Sequence, residues 1–391
     1  MTTTMTREVL TEDMIGRFGA RAARYDAENT FFHEDFEELR ASGYLKMAIP
    51  EELGGLGYSL AEVCRQQRRL AYRAPATALA TNMHLYWTGV AADMRRMGDS
   101  SLEWLLREAA AGEVFAAGHG ETGNDMPLFL STTNAERIDG GYRFTGHKMF
   151  GSLTPVWTRM GIHGMDSNDP NGPQIIHAFM PRDTPGYHVK ETWDTLGMRA
   201  TRSDDTILEG AEVRGQYIAR VVPAGAADLF GLCIFAWAQP TFGSVYLGVA
   251  RRAIDLAVET AHKRKSLALT RSFAYHPEVQ HHIAQMTFRF DAAEALVEKI
   301  ADEWSRGVDH AGNWPAKLVS AKHNAVEAAK DIVDRAMAIS GGSGMFKGSE
   351  LERLYRDVRC GGFHPANSIL APELVGKIAL GVDLGEQPRW G

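Results

Sequence analysis

The sequence predicts an α+β protein with an N-terminal helical domain, a middle β-barrel-like domain and a C-terminal four-helix bundle. Three observations carry this prediction. Apolar residues recur every three or four positions in the first part of the chain, as in amphipathic helices. Short β-branched runs between turn residues replace that spacing in the middle. Long, alanine-rich helical segments follow, so we expect domains at 1–112, 113–222 and 223–391.

The helical domains are predicted segment by segment. In the first, helices are expected over Phe31–Ser42, Leu60–Tyr72 and Ala76–Met97, and a further helix starts near Asp99-Ser100-Ser101 and ends at Gly112. In the last, helices are expected over about Ala226–Ser266, Pro277–Trp304, Pro315–Ser340 and Ala371–Leu380. Because proline lacks an amide hydrogen, the first of these is expected to be interrupted at Pro240.

The middle domain is predicted from one hairpin and several short strands. Asp139-Gly140-Gly141 separates Thr132–Ile138 from Tyr142–Thr145, which is the pattern of a β-hairpin. Gln174–Met180 and Thr206–Leu208 are further short apolar or β-branched runs.

Composition excludes several classes of protein. The net charge is −7, whereas nucleic-acid binders usually carry a basic surface. The three cysteines, Cys64, Cys233 and Cys360, are far apart, so neither a metal site nor a disulfide framework is expected. Met1–Arg24 lacks the apolar core of a signal peptide, and no apolar run is long enough to span a bilayer. We therefore expect a cytoplasmic protein that binds neither membrane nor nucleic acid.

Six motifs in chain order resemble those of the acyl-CoA dehydrogenase superfamily. They are Ile49–Gly57, His119–Asp125, Tyr142–Phe150, Leu196–Arg199, Ile339–Gly344 and Arg356–Arg359. The resemblance spans almost the whole chain and implies the three-part fold, a bound flavin and oxidoreductase activity. FAD is the expected cofactor, with FMN as the alternative, because the flavin segment at Gly120–Asp125 is two residues shorter than the family's.

The resemblance also implies which residues bind the flavin. Glu121, Thr122, Gly123, Phe150 and Ser152 are expected in the middle domain, where Ser152 would hydrogen-bond flavin N5. The C-terminal candidates are Arg264, Arg271, Gly341, Gly342 and Gly344. Backbone amides beside glycine can approach a phosphate closely, although Gly-Gly also suits a helix end. In the family this last motif and the arginine serve a neighbouring subunit, so a homodimer or homotetramer is expected.

The chain lacks the carboxylate base of the family's dehydrogenases. Such a base must reach the α-proton of an acyl thioester. The usual glutamate ends the pattern R-D-x-x-x-x-x-x-Y-E, and here that position holds Pro365. A second group of dehydrogenases takes its base from the first long C-terminal helix, at a position aligned with Ala238 or Gln239. None of these three side chains can abstract a proton.

A second branch of the superfamily needs no such base. It contains two-component flavin monooxygenases, such as dibenzothiophene monooxygenase and amino-sugar N-oxygenases. These take reduced flavin from a separate reductase and form a C4a-hydroperoxyflavin, which needs hydrogen-bond donors in a dry pocket. The chain resembles this branch at His84, at Thr270–Phe273 and at Arg356–Arg359 followed by His364.

His364, His84 and Ser152 are therefore the predicted catalytic residues. Each also has a simpler interpretation: His84 could pack between Tyr86 and Trp87, His364 could close a turn, and Ser152 could lie in an exposed loop. Because proline follows His364, that histidine lacks the neighbouring aspartate that orients it in some members of the branch.

Three functions remain open from the sequence. The first is a reduced-flavin monooxygenase acting on a small organic molecule or a carrier-bound acyl group. The second is an acyl-thioester dehydrogenase with a displaced base, for which Glu373 is a candidate. The third is a catalytically silent subunit that complements a paralogue. Fold alone does not decide among them.

Overall fold

A computed structural model describes residues 8–384, and in these residues helices, strands and helices follow one another as predicted. The first domain contains α1 (Glu12–Glu28), α2 (His33–Ser42), α3 (Leu60–Ala71), α4 (Pro75–Arg96) and α5 (Glu103–Ala111). α3 begins with a capping box between Ser59 and Glu62. α5 begins two residues later than the predicted Ser101 start, because Asp99 caps the turn at the amide of Ser101 rather than the helix.

The middle domain is a single eight-stranded sheet. Its strands are β1 (Phe115–Ala117), β2 (Asn134–Ile138), β3 (Gly141–Lys148), β4 (Arg159–Asp166), β5 (Gln174–Pro181), β6 (Tyr187–Lys190), β7 (Asp205–Arg214) and β8 (Ile218–Pro223). The strand order is β6-β7-β3-β2-β4-β5-β8, with β1 beside β4. Because β6 and β8 remain as edges, the sheet is open and does not close into a barrel.

The predicted hairpin is present. Ile138 pairs with Gly141 across the β2–β3 turn, which leaves Asp139 and Gly140 as the two turn residues. Gly140 has a φ of +75°, a conformation that glycine adopts without a steric penalty.

The last domain is helical and joins the other two. It contains α6 (Leu229–Lys263), α7 (Pro277–Ser305), α8 (Trp314–Ser340), α9 (Glu350–Arg359) and α10 (Leu370–Leu380). α6 packs on α7 and α8 in the bundle and on α3 and α4 of the first domain. α6 is long and apolar enough to cross a membrane, but 89% of its apolar window is buried inside the protein. It is therefore the central helix of the protein's core.

The predicted interruption at Pro240 is wrong, because α6 runs through it unbroken. Proline removes one helical hydrogen bond. The Thr241 hydroxyl donates to the carbonyls of Trp237 and Ala238 at 2.5 and 3.1 Å. Pro240 and its neighbours are buried in the core, where tertiary packing outweighs the lost hydrogen bond.

Candidate functional site

His364 lies where the C-terminal segment crosses α6. Its ring stacks parallel on Phe242, with centroids 4.6 Å apart. Its Nε2 lies 2.7 Å from the hydroxyl of Tyr246. Phe242 and Tyr246 are four residues apart and therefore share one face of the helix. The orienting partner that the neighbouring Pro365 cannot supply thus comes from α6.

The backbone around His364 is held by two buried side chains. Lys322 of α8 donates from Nζ to the carbonyls of His364 and Ala366, at 2.6 and 2.7 Å. Gln239 of α6 donates from Nε2 to the carbonyl of Pro365 at 2.8 Å. Gln239, one of the two helix positions that the sequence aligns with a dehydrogenase base, therefore meets Pro365, the position aligned with the usual glutamate. An amide and a lysine therefore hold the backbone of this junction.

Electrostatics keep His364 neutral at ordinary pH. Burial and the nearby Lys322 lower the pKa of His364 to about 3. Burial also lowers the pKa of Lys322 to about 7, although Glu327 opposes that shift. His364 is consequently a neutral imidazole that can donate through one nitrogen and accept through the other.

Ser152 begins a chain of hydroxyl groups in the middle domain. Its Oγ lies 2.7 Å from that of Ser203, which lies 2.7 Å from Oγ1 of Thr201. Thr201 donates to the carbonyl of Met198 at 2.9 Å. Because a carbonyl can only accept, the hydroxyl hydrogens run from Ser152 toward Met198. The lone pairs of Ser152 are left for a donor from elsewhere.

The segment around Met198 is hydrogen-bonded to α9, the helix that precedes His364. The amide of Met198 donates to the buried carboxylate of Asp357 on α9, at 2.6 Å. On the other side, Phe150 precedes Ser152 by two residues, has a φ of +61° and leaves 58% of its surface exposed. An exposed aromatic ring beside a hydroxyl chain offers a flat apolar face and a polar contact to one ligand.

Glu121 is an internal anchor of the flavin-segment loop. Its carboxylate accepts hydrogen bonds from Ser131, Thr132, Thr133, Asn124 and Lys148. Burial alone would raise its pKa, but the Lys148 ammonium and these bonds lower the pKa of Glu121 to about 2. The neighbouring Thr122 and Gly123 are exposed, so they are the groups of this loop that a ligand can reach.

The predicted C-terminal residues gather at the far end of α8. Arg264 donates to the carbonyl of Ile339 at 2.7 Å and lies 4.2 Å above the Phe273 ring. A Cβ at Gly341 would lie 2.9 Å from the Arg264 guanidinium, whereas Gly342 faces open space. Along α8, Lys322 and Ile339 are roughly 25 Å apart at the helical rise per residue. This end of the helix therefore cannot serve the flavin that His364 would face.

Arg271 and Gly344 complete the predicted set but differ in exposure. Arg271 is exposed and lies over the Tyr275 ring at 4.8 Å. Gly344 is buried against Met337 and Ser340. Arg271 is free to contact a ligand, whereas Gly344 can act only through its backbone.

His84 is packed inside the first domain, apart from the His364 contacts. Its Nε2 lies 2.9 Å from the carbonyl of Leu45, and its Nδ1 accepts from the amide of Phe115 at 3.1 Å. Burial lowers the pKa of His84 to about 4. Both ring nitrogens are occupied by backbone, which leaves none for a substrate.

Sequence reasoning missed Phe242, Tyr246 and Lys322. The four-residue spacing of the two aromatic residues predicts a shared helix face. Nothing in the sequence links that face with a histidine 118 residues away. A buried lysine likewise has no sequence signal, because its partners are backbone carbonyls.

The residues present fit a flavin. Phe150 and the exposed Thr122 and Gly123 suit a flat ring system and its polar tail, and Ser152 supplies a hydrogen-bonding atom. The Oε1 atom of Gln239 is buried without a partner beside the loop of His364, as expected next to a site that a ligand completes.

Fold and site together define a flavin-dependent oxidoreductase. Two family descriptions match the chain: "Acyl-CoA dehydrogenase, N-terminal domain" over residues 2–100 and "Acyl-CoA dehydrogenase, C-terminal domain" over residues 240–369. Together they cover more than half of the sequence. The chain therefore belongs to the acyl-CoA dehydrogenase superfamily, which confirms the predicted family and fold.

Its relatives include members of both branches. L-evernosamine nitrososynthase of Micromonospora sp. is 29% identical over 95% of this chain and 89% of its own. Putative acyl-CoA dehydrogenase YdbM of Bacillus subtilis is 28% identical over 90% and 92%. Dibenzothiophene monooxygenase of Mycolicibacterium goodii is 26% identical over 85% and 83%. The solved structure of KijD3 with FMN and a dTDP-linked amino sugar superposes with a TM-score of 0.82, at 26% identity and over 98% and 95% of the two chains.

Proposed function

We propose that this protein is the oxygenase component of a two-component flavin monooxygenase, acting on a small organic molecule or a carrier-bound acyl group. The observation that supports this most is the contact between Gln239 and Pro365. Both positions that would carry a dehydrogenase base lie there, and neither is acidic. His364, a neutral hydrogen-bonding group, occupies the adjacent position.

The side chains have distinct roles in this proposal. A reduced flavin, when bound, supplies the two electrons with which one atom of O2 enters the substrate and the other leaves as water. His364 donates a hydrogen bond to developing negative charge, which such donors stabilise strongly in a dry site. Ser152 presents lone pairs, and an acceptor suits the N–H of a reduced flavin better than the bare nitrogen of an oxidised one. Phe150 covers the flat ring. His84 maintains the fold.

The cofactor and partners follow the same proposal. FAD is favoured and FMN is the alternative, which the FMN complex of KijD3 supports. A separate reductase would deliver the reduced flavin.

Large apolar side chains are exposed near Arg264 and Gly341, namely Leu267, Tyr275, Met345 and Phe346. Such a patch is typical of a subunit interface, so we propose a cytoplasmic homodimer or homotetramer.

The test compares the oxidised and reduced protein. The oxidised flavoprotein should keep its colour when acyl-CoA esters are added without oxygen. The protein with reduced flavin should consume O2 and transfer oxygen to a substrate, with amino sugars and dibenzothiophene as first probes because relatives carry those names. Anaerobic bleaching by an acyl-CoA would instead identify a dehydrogenase. Failure to bind flavin would identify a silent partner subunit.

The displaced base of the dehydrogenase alternative has little support. Glu373, its sequence candidate, lies on α10 within 3.2 Å of the Lys377 ammonium. That ion pair joins residues one turn apart on the same helix.

A further inference from the structure

The pairing of Tyr246 with His364 determines where the imidazole proton lies. Tyr246 is fully buried, and among the described residues its hydroxyl has one partner, Nε2 of His364 at 2.7 Å. Burial raises the pKa of Tyr246 well above its usual range, so the phenol keeps its hydrogen. That hydrogen must be donated to Nε2, because a buried donor left without an acceptor is strongly disfavoured.

The other ring nitrogen must therefore carry the imidazole proton. If Nε2 bore it, the Tyr246 oxygen would have to accept at 2.7 Å and its own buried hydrogen would be left without an acceptor, a state disfavoured on the order of 10- to 100-fold. Nδ1 has no protein partner among residues 8–384, and it is not among the buried unpaired atoms. His364 is partly exposed, so Nδ1–H is open to a ligand.

Lys322 also favours the neutral form of His364. Its ammonium is 2% exposed and holds the carbonyls on both sides of Pro365. In its protonated form, which gains population as the pH falls below about 7, Lys322 opposes a second positive charge on the imidazole. The titratable groups packed around His364 are Tyr246 and Lys322, with Glu327 beyond the lysine.

We propose that Tyr246 and Lys322 are positioning residues that hold His364 as a neutral imidazole and present its Nδ1–H to the bound reactants. This deepens the proposed function, on which it rests, because a fixed donor suits oxygen transfer. A proton-abstracting base would need a free lone pair, and the only one on His364 is occupied by Tyr246.

The test is the nitrogen chemical shifts of His364 in protein labelled with 15N-histidine, measured by magic-angle-spinning NMR. His364→Gln identifies the signals by their disappearance. We expect a protonated Nδ1 and an unprotonated Nε2 at pH 7. Tyr246→Phe removes the donor and should lower the ratio of these two tautomers about tenfold or more. Tyr86→Phe, which changes a buried tyrosine away from His364, should leave the pattern unchanged.

Lys322→Met provides a second measurement. It removes both carbonyl bonds and the charge, so the His364 signals should titrate at higher pH than in the unmodified protein. Lys263→Met, which removes an exposed lysine at the end of α6, should not change them. A protonated Nε2 in the unmodified protein, or a tautomer ratio unaffected by Tyr246→Phe, would overturn the proposal.

The two proposals fail separately. If the tautomer is as expected but reduced flavin and O2 give no oxygenated product with any probe, the proposed function fails and the positioning role stands. If oxygen transfer occurs with Nε2 protonated, only the positioning role fails.

Discussion

The Nε2 atom of Gln239 donates to the carbonyl oxygen of Pro365 at 2.8 Å, although 126 residues separate them in the chain. This bond joins α6 to the segment after α9, at positions that the sequence aligns with the bases of the family's dehydrogenases. An amide can donate to a carbonyl, whereas a carboxylate there would face it with a second acceptor.

Gln239→Glu should therefore destabilise the protein. The substitution replaces a buried hydrogen bond by two facing acceptors, which should lower the free energy of unfolding by about 1–3 kcal/mol. Urea denaturation followed by circular dichroism measures this. The matched control is Gln280→Glu, because Gln280 also donates to a backbone carbonyl but is exposed, where water replaces the lost bond. Equal effects of the two substitutions would contradict the assigned bond.

Loss of the proposed donors should uncouple the reaction. His364→Ala and Ser152→Ala should each reduce product formed per O2 consumed, with the rate of product formation falling on the order of 100-fold for His364. Coupling is measured as the ratio of product to H2O2. His281→Ala, at an exposed histidine, is the control. Full coupling in both variants would show that the site has been misassigned.

The direction of the hydroxyl chain predicts a preference between flavin redox states. Ser203→Ala removes the acceptor of the Ser152 hydroxyl, so Ser152 becomes free to donate. Affinity for oxidised flavin should rise relative to reduced flavin by about threefold to tenfold, the value of one hydrogen bond. Anaerobic and aerobic titrations give the two dissociation constants. A ratio equal to that of the unmodified protein would mean that the chain does not orient Ser152.

His84→Ala should affect stability rather than chemistry. It leaves the carbonyl of Leu45 and the amide of Phe115 unpaired in the core, at a cost of about 2–5 kcal/mol from lost bonds and packing. The folded fraction should keep its coupling ratio. A stable variant that is uncoupled would restore His84 to the catalytic group.

The Glu121–Lys148 pair should make stability depend on acid. The folded pKa of Glu121, about 2, is below its ordinary value of 4.5, so its contribution is present above that value and is lost as pH falls toward 2. Glu121→Gln should remove this dependence and lower the free energy of unfolding at pH 7 by about 3–5 kcal/mol. Lys148 would then be buried without a carboxylate, beside the Nδ1 atom of His163 at 3.1 Å. Glu212→Gln, in an exposed pair of the same sheet, should cost at most about 1 kcal/mol. Equal acid sensitivity of both variants would contradict this role.

The sequence predicts elements well where local periodicity and turn residues agree. α3, α4, α7 and α8 begin and end within two residues of their predicted bounds, and the β2–β3 hairpin forms as predicted, although β3 extends three residues further, to Lys148. α1 and α9 were not predicted, since short or charged amphipathic segments resemble exposed loops. The helix break predicted at Pro240 was wrong, because the rule that proline interrupts a helix takes no account of burial in the core.

The candidate site could be predicted only in part. Motifs singled out His364, Ser152, Arg264 and Gly341 as candidates, since each lies in a short recognisable segment, and their roles stay predictions. Motifs could not show that both ring nitrogens of His84 contact backbone, because those partners, Leu45 and Phe115, lie far from it in the sequence. Tyr246 also escaped prediction because its role depends on the crossing of two segments.

α8 carries Lys322 near one end and leads into Gly341 at the other. If the segment at Gly341 binds the flavin of a neighbouring molecule, then α8 contributes to the active sites of two molecules. An isolated chain would then possess two half-sites and no complete one. Dilution below the dissociation constant of the assembly would abolish turnover without unfolding any helix, so specific activity should depend on protein concentration.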